Sequence, residues 1–335
     1  MTNPSKTKDL PASSPSLIWP KKNSWARWLR LAEDISDAPH TTASSPPGTE
    51  APRLTIYSER VVAFIDILGF KDIVMRSVED VDLECRIHNA LDVCHDDLAE
   101  IFAAEIDLGW DPTDFDERLH TFSDCIVISV RPQAEEIGLL IFMVFRICRQ
   151  LLEDGFLSRG GVAKGLLYHR VNPRRHPAGE ARGTRGHSPP VTMVFGPAFV
   201  EAYNFESVHA DGSRVILQTK VWREIDHYCT SHPDRKLAQF FRAHIRRADD
   251  GPAYVDLFAD FVCSGSFYSA KRNLDDEIRT IKKHVCDALD VTADKPRYFR
   301  KSALLARMFN RAVTESRRDE HLIPGSILPS SHPAP

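Results

Sequence analysis

The run Val61-Val62-Ala63-Phe64-Ile65-Asp66-Ile67-Leu68-Gly69-Phe70 constrains this chain more than any other stretch of it. Its apolar, β-branched opening reads as a buried strand. The strand ends on an aspartate, and Leu68-Gly69-Phe70 then leads into a helical pattern. A second run, Phe122-Ser123-Asp124-Cys125-Ile126-Val127-Ile128-Ser129, repeats the arrangement of one aspartate against an apolar strand. A carboxylate beside a buried strand is costly unless a cation, a donor or water compensates it. Two of them at strand boundaries point to a carboxylate pair that grips metal, and metal held this way usually serves phosphate chemistry. Taken singly, Asp66 is equally well read as a helix cap and Asp124 as an ordinary turn aspartate.

Periodicity extends the pattern along the chain. Strands are expected at 61–65, 118–122, 125–130, 157–169, 191–195 and 214–218. Helices are expected at 70–104, 135–154 and 197–207, the last with Pro197 near its first turn. A βαββαβ core of this kind makes an α+β fold, with a mostly antiparallel sheet and helices on one face. Beyond it the reading is helical, at about 233–247, 271–290 and 295–316. Four regions follow: a Pro/Ser-rich tail over 1–52 with a possible short helix at 25–31, a core over 53–225, a helical extension over 226–320, and a disordered tail over 321–335.

The 335 residues carry a net charge of −4, which gives no global argument for nucleic-acid binding. The seven cysteines are scattered without a CxxC, so neither a zinc site nor a disulfide framework is indicated. The longest apolar stretch, 137–144, is too short for a stable membrane anchor, and no secretory signal is visible. A soluble, cytoplasmic protein is the expectation. The basic loop 172–190 reads as a solvated insertion, or as a lid over an anionic ligand.

The helix start after Asp66 offers free N–H groups at Leu68, Gly69, Phe70 and Lys71, which can hold phosphate oxygens while Asp66 holds a divalent cation. Four motifs then come in a telling order: Phe64-Ile65-Asp66-Ile67-Leu68-Gly69-Phe70, Ser123-Asp124, Arg159-Gly160-Gly161-Val162-Ala163-Lys164-Gly165, and Phe195-Gly196-Pro197-Ala198-Phe199. Together they resemble class III nucleotide cyclases, and most closely the bacterial pyrimidine cyclases of the Pycsar antiphage systems, over about residues 58–220.

The resemblance implies a ferredoxin-like βαββαβ class III cyclase core with a C-terminal helical extension, acting as a head-to-tail homodimer on a nucleoside triphosphate. Asp66 and Asp124, with the Ile67 carbonyl, would hold two Mn2+ or Mg2+ ions. UTP, ahead of CTP, would become the 3′,5′-cyclic monophosphate and pyrophosphate, a signal read by a separate effector in antiphage defence. The base-reading positions fall on His120 and Met193, a pair that matches neither the adenine nor the guanine reader. The positions that stabilise the transition state fall on Val200 and Asn204, and the triphosphate arginine on Leu166, none of which suits the task. Arg159, Lys164 and Arg214 are the replacement cations, and Phe64, Leu68, Gly69 and Phe70 complete the expected nucleotide site. The alternative is a non-catalytic sensor that keeps the fold and binds nucleotide.

Overall fold

A computed structural model of the chain describes residues 56–93, 97–109, 111, 115, 118–172, 191–263 and 273–328. The possible helix at 25–31, nearly all of the basic loop and the last seven residues lie outside them.

Strand β1 (Ser58–Ile67) is an interior strand of the sheet. Its neighbours are β3 (Cys125–Val130) on one side and β4 (Ser158–Asn172) on the other, both antiparallel. Strand β2 (Leu119–Phe122) flanks β3, so the spatial order is β2-β3-β1-β4. Between β1 and β2 run helices α1 (Phe70–Ser77), α2 (Val81–Leu91) and α3 (Asp97–Glu105). Between β3 and β4 runs α4 (Ala134–Glu153). This is the βαββαβ connectivity expected from the sequence, and the fold is α+β.

The single helix expected over 70–104 is three helices. Asp80 ends the first segment by capping the second, its carboxylate accepting from the Leu83 N–H at 3.0 Å. Helix α4 is buried on nearly all sides, and the charged Glu136 and Arg149 are enclosed along with its apolar residues. Among the described residues no helix is long and apolar enough to cross a membrane.

Past β4 the chain turns back as β5 (Val191–Phe195), which pairs with β4, and then forms α5 (Pro197–Asn204). A π-helical turn, Phe205–His209, continues α5. Strand β6 (Val215–Leu217) then joins β4 in parallel.

The remainder departs from the purely helical extension expected. Helix α6 (Thr219–Ser231) precedes α7 (Lys236–His244), and strands β7 (Ile245–Arg247) and β8 (Ala253–Val255) extend the sheet beyond β6. Helix α7 stops at His244 because Ile245 adopts extended backbone to pair with Val255. Helices α8 (Leu274–Thr292) and α9 (Pro296–Glu315) close the fold.

The sheet is covered on both faces. Val61, Ala63, Ile65 and Ile67 point to the face packed by α4 and by helices α1–α3, α6 and α7. Val62 and Phe64 point the other way, against Ala198 and Ala202 of α5. Further along that second face, Ile216 and Tyr254 pack under α8 and α9.

Candidate functional site

Register places the candidate residues. Directly opposed residues in an antiparallel pair share a face. One row across the sheet is therefore Phe122, Cys125, Asp66 and Arg159. The next row inward is His120, Val127, Phe64 and Gly161. Both rows belong to the α5 face.

Asp66 and Asp124 meet at the end of this sheet. The Ile67 N–H donates to the Asp124 carbonyl at 2.9 Å, tying the end of β1 to the β2–β3 turn. Ser123, the first residue of that two-residue turn, holds a positive φ of 58°, a backbone state that non-glycine residues rarely adopt. The Asp66 carboxyl is held above its usual range. Burial is the main cause, and the Asp124 charge adds to it, against the opposing pull of Arg159.

Arg159 comes from the β4 register position facing Asp66. Its Nε lies 3.5 Å from Asp66 Oδ2 and 2.5 Å from Glu206 Oε1. Neither the Arg159 Nε nor Glu206 Oε1 has a hydrogen-bond-aligned partner, so the contact is an ion pair without hydrogen-bond geometry. Glu206 is only 2% exposed. Its carboxyl is pushed up to about 7, by burial first and by the neighbouring Asp66 next. The nearby Asp66 and Glu206 carboxyls and the single Arg159 guanidinium between them make this an acidic corner.

The acidity of this corner reaches its other members. The Cys125 thiol is pushed up to about 12 by burial and by Asp124, Asp66 and Glu206. The Tyr203 phenol is raised by burial and by Glu206 and Asp66. From α9, the Lys301 ammonium is lowered by burial and by the positive charge of Arg159.

The Arg-Gly-Gly motif has a steric reason. A Cβ on Gly161 would sit 2.4 Å from the Ala202 carbonyl oxygen and 2.5 Å from Phe205 Cβ. Only glycine lets the end of α5 and its π turn lie against β4, and that contact delivers Glu206 to Arg159. π-Helical turns of this kind recur at functional sites.

The other expected residues divide. Gly69 caps α1 with φ 74°, and a Cβ there would meet open space. Among the described residues the N–H groups of Gly69, Phe70 and Lys71 have no backbone partner, whereas the Leu68 N–H is committed to the Leu157 carbonyl at 2.7 Å. Leu68 is thus removed from the expected phosphate donors. Phe64 is a core residue, wedged edge-on between Phe199 and Tyr203 at 5.7 and 5.5 Å.

Lys164 faces away from the corner. It opposes Val61, on the face turned from Asp66, and its Nζ is 2.6 Å from Glu224 and 3.7 Å from Glu59. Arg214 is 2% exposed and clamped on Asp250, with its guanidinium over the Tyr254 ring. Neither replaces a triphosphate cation; each satisfies a neighbouring carboxylate instead.

His120 lies against His169, 4.8 Å between ring centroids, and Ser129 Oγ fixes His169 Nδ1 at 2.6 Å. Burial and the His120 ring push His169 down to about 3, so it is neutral at physiological pH. Met193 opposes Arg170, whereas Val194 opposes His169; His120 and Met193 therefore do not share a face of the β4–β5 ribbon. Leu166 and Met193 are both exposed.

Glu206, Tyr203 and Lys301 were not flagged by the sequence. Glu206 left one signal, an acid at the C-terminal end of a helix, where the macrodipole disfavours it. The chain matches no protein-family model, and it has no significant match among curated proteins.

Among the described residues no group of three or more His, Cys, Asp and Glu side chains is set to hold a metal ion. The donor set at the corner is two carboxylates and a strand-end carbonyl. That suits a hard cation such as Mg2+, which takes one or two carboxylates and completes its shell with water and substrate phosphates. The raised Asp66 carboxyl fits the same reading, since a cation between Asp66 and Asp124 would offset their repulsion.

Proposed function

We propose that this chain is a nucleotide cyclase on a ferredoxin-like class III core, converting UTP, or CTP, to the 3′,5′-cyclic monophosphate and pyrophosphate. The observation that carries the reading is the pairing of Asp66 and Asp124 at one end of a β2-β3-β1-β4 sheet, where the Asp124 charge helps to raise the Asp66 carboxyl. Asp66, Asp124 and the Ile67 carbonyl are the groups that would hold Mg2+ or Mn2+. When bound, such ions lower the pKa of the ribose 3′-OH and neutralise charge on the triphosphate.

The chain's own residues supply the rest. The N–H groups of Gly69, Phe70 and Lys71 at the start of α1 have no backbone partner among the described residues and can take phosphate oxygens. Arg159 stands beside Asp66 with a guanidinium suited to paired phosphate oxygens, and it is our candidate for the charge that Val200 and Asn204 do not provide. The His120–His169 pair, its His169 neutral and fixed by Ser129, lies on the same face as Asp66 and is our candidate for contact with the base. A head-to-tail homodimer, a cytoplasmic setting and a separate effector that reads the product belong to the same proposal.

A non-catalytic nucleotide sensor is the second reading, favoured by the exposed Leu166 where a triphosphate arginine is expected. Incubation of purified protein with each NTP and Mn2+ decides between them. Cyclic pyrimidine monophosphate with stoichiometric pyrophosphate supports the cyclase. Bound but intact nucleotide supports the sensor. Asp66→Ala and Asp124→Ala are each expected to lower turnover by on the order of 10²-fold or more while circular dichroism stays unchanged.

A further inference from the structure

The Arg159 guanidinium lies between two carboxylates, closer to Glu206 at 2.5 Å than to Asp66 at 3.5 Å. Glu206 is fully enclosed and reaches this place only through the π turn that Gly161 admits. A divalent cation at Asp66 and a guanidinium at the same carboxylate repel each other and compete for its oxygens. We infer that Glu206 is a positioning residue, which draws Arg159 off Asp66 and so opens Asp66 to a divalent cation while keeping the guanidinium at the site. This rests on the reading above, in which Asp66 is a cation ligand.

The inference follows from counting counter-ions. With Glu206 present, Arg159 has a carboxylate partner other than Asp66. Without that carboxylate, Asp66 is the nearest anion left to it, and an arriving cation must displace a half-buried ion pair. Removing Arg159 as well takes away the competitor and should undo the defect. A Glu206 that acted only through packing would show no such reversal.

The test is Mn2+ binding to the full chain at pH 8, where the Glu206 carboxyl is ionised, by titration calorimetry without nucleotide. Glu206→Gln is expected to weaken Mn2+ about tenfold, equivalent to one lost favourable charge contact. Glu206→Gln combined with Arg159→Gln is expected to return to within about threefold of the parent protein, and Arg159→Gln alone to bind as tightly as the parent or more tightly. Unchanged Mn2+ affinity in Glu206→Gln overturns the inference, and so does a double variant as weak as the single one. Should Glu206→Gln fail to fold, Arg159→Gln still decides: weaker Mn2+ binding in that variant overturns it. Asp66→Asn separates the two levels. If it binds Mn2+ as the parent does, the cation reading of Asp66 falls, and this inference with it. If it loses Mn2+ while Glu206→Gln keeps it, the cation site stands and only the role of Glu206 falls.

Discussion

Burial lifts the Glu206 carboxyl to about 7 from an ordinary value of 4.5. The sign of the consequence is fixed by linkage. The folded state holds this proton more tightly than the unfolded chain, so the stabilisation is complete below about pH 4.5 and is lost as pH rises through 7. Between pH 5 and pH 8 the protein is therefore expected to lose on the order of 2 kcal/mol of stability at this one pair. Glu206→Gln, which cannot ionise, is expected to lack that decline. Urea midpoints measured at both pH values check it, and parallel declines in the two proteins would rule Glu206 out as the source. Asp66 and Asp124 were legible in the sequence because each interrupts an apolar strand with a charge. Glu206 was not, because its helix carries no comparable break and its partner Arg159 is brought to it only by the fold. Lys164 and Arg214 were misread for the complementary reason: a lone cation on a strand looks unpaired until Glu224 and Asp250 come into place.

Among the elements, α5 and its π turn depend on β4 more closely than their lengths suggest. The turn lies on Gly161 with no room for one further carbon, and two of the three nearest atoms are backbone, which cannot rotate away. Gly161→Ala is expected to cost about 1–3 kcal/mol as overpacking and to move Glu206 away from Arg159. A lower melting temperature together with weakened Mn2+ binding would bear this out; a variant as stable as the parent would mean that the turn shifts freely on β4. The strands of the central sheet were readable as continuous apolar runs because both of their faces meet a core. Strands β7 and β8 were not, since three residues each, Ile-Arg-Arg and Ala-Tyr-Val, are too few for a period to register. The turn between them was visible only as a breaker, Asp-Gly-Pro, with Gly251 at φ 111°. Helix α6 was passed over although Val221, Ile225 and Cys229 mark a buried stripe at helical spacing.

Taken as a whole, the molecule does not divide where its sequence pattern changes. Strand β6 has β4 on one side and β8 on the other, so the sheet of the βαββαβ core continues into the part expected to be a helical extension. One buried ion-pair network lies beyond that line and another crosses it. Asp256, 1% exposed, accepts from Arg246 of β7 at 2.7 Å and from Arg311 of α9 at 2.9 Å. Arg149 of α4, also buried, reaches the Leu257 carbonyl at 3.1 Å and Glu277 of α8 at 3.4 Å. Asp256→Ala removes a buried acceptor but leaves Arg246 and Arg311 about a third exposed and still paired with Glu315, at a cost of about 1–3 kcal/mol. This substitution, far from the Asp66 corner in the chain, is therefore expected to lower the melting temperature of the whole unit in a single transition, by about 3–8 °C. Ending the chain at residue 225 would go further, since it unpairs one edge of β6 and uncovers Ile216 and Leu152, both buried under this part of the structure. That shortened protein is expected to show no cooperative thermal transition by circular dichroism. A sharp transition near that of the full chain would instead mean that 226–320 is a separable domain, and that the sheet pairing across β6 and β8 contributes little to the stability of the core.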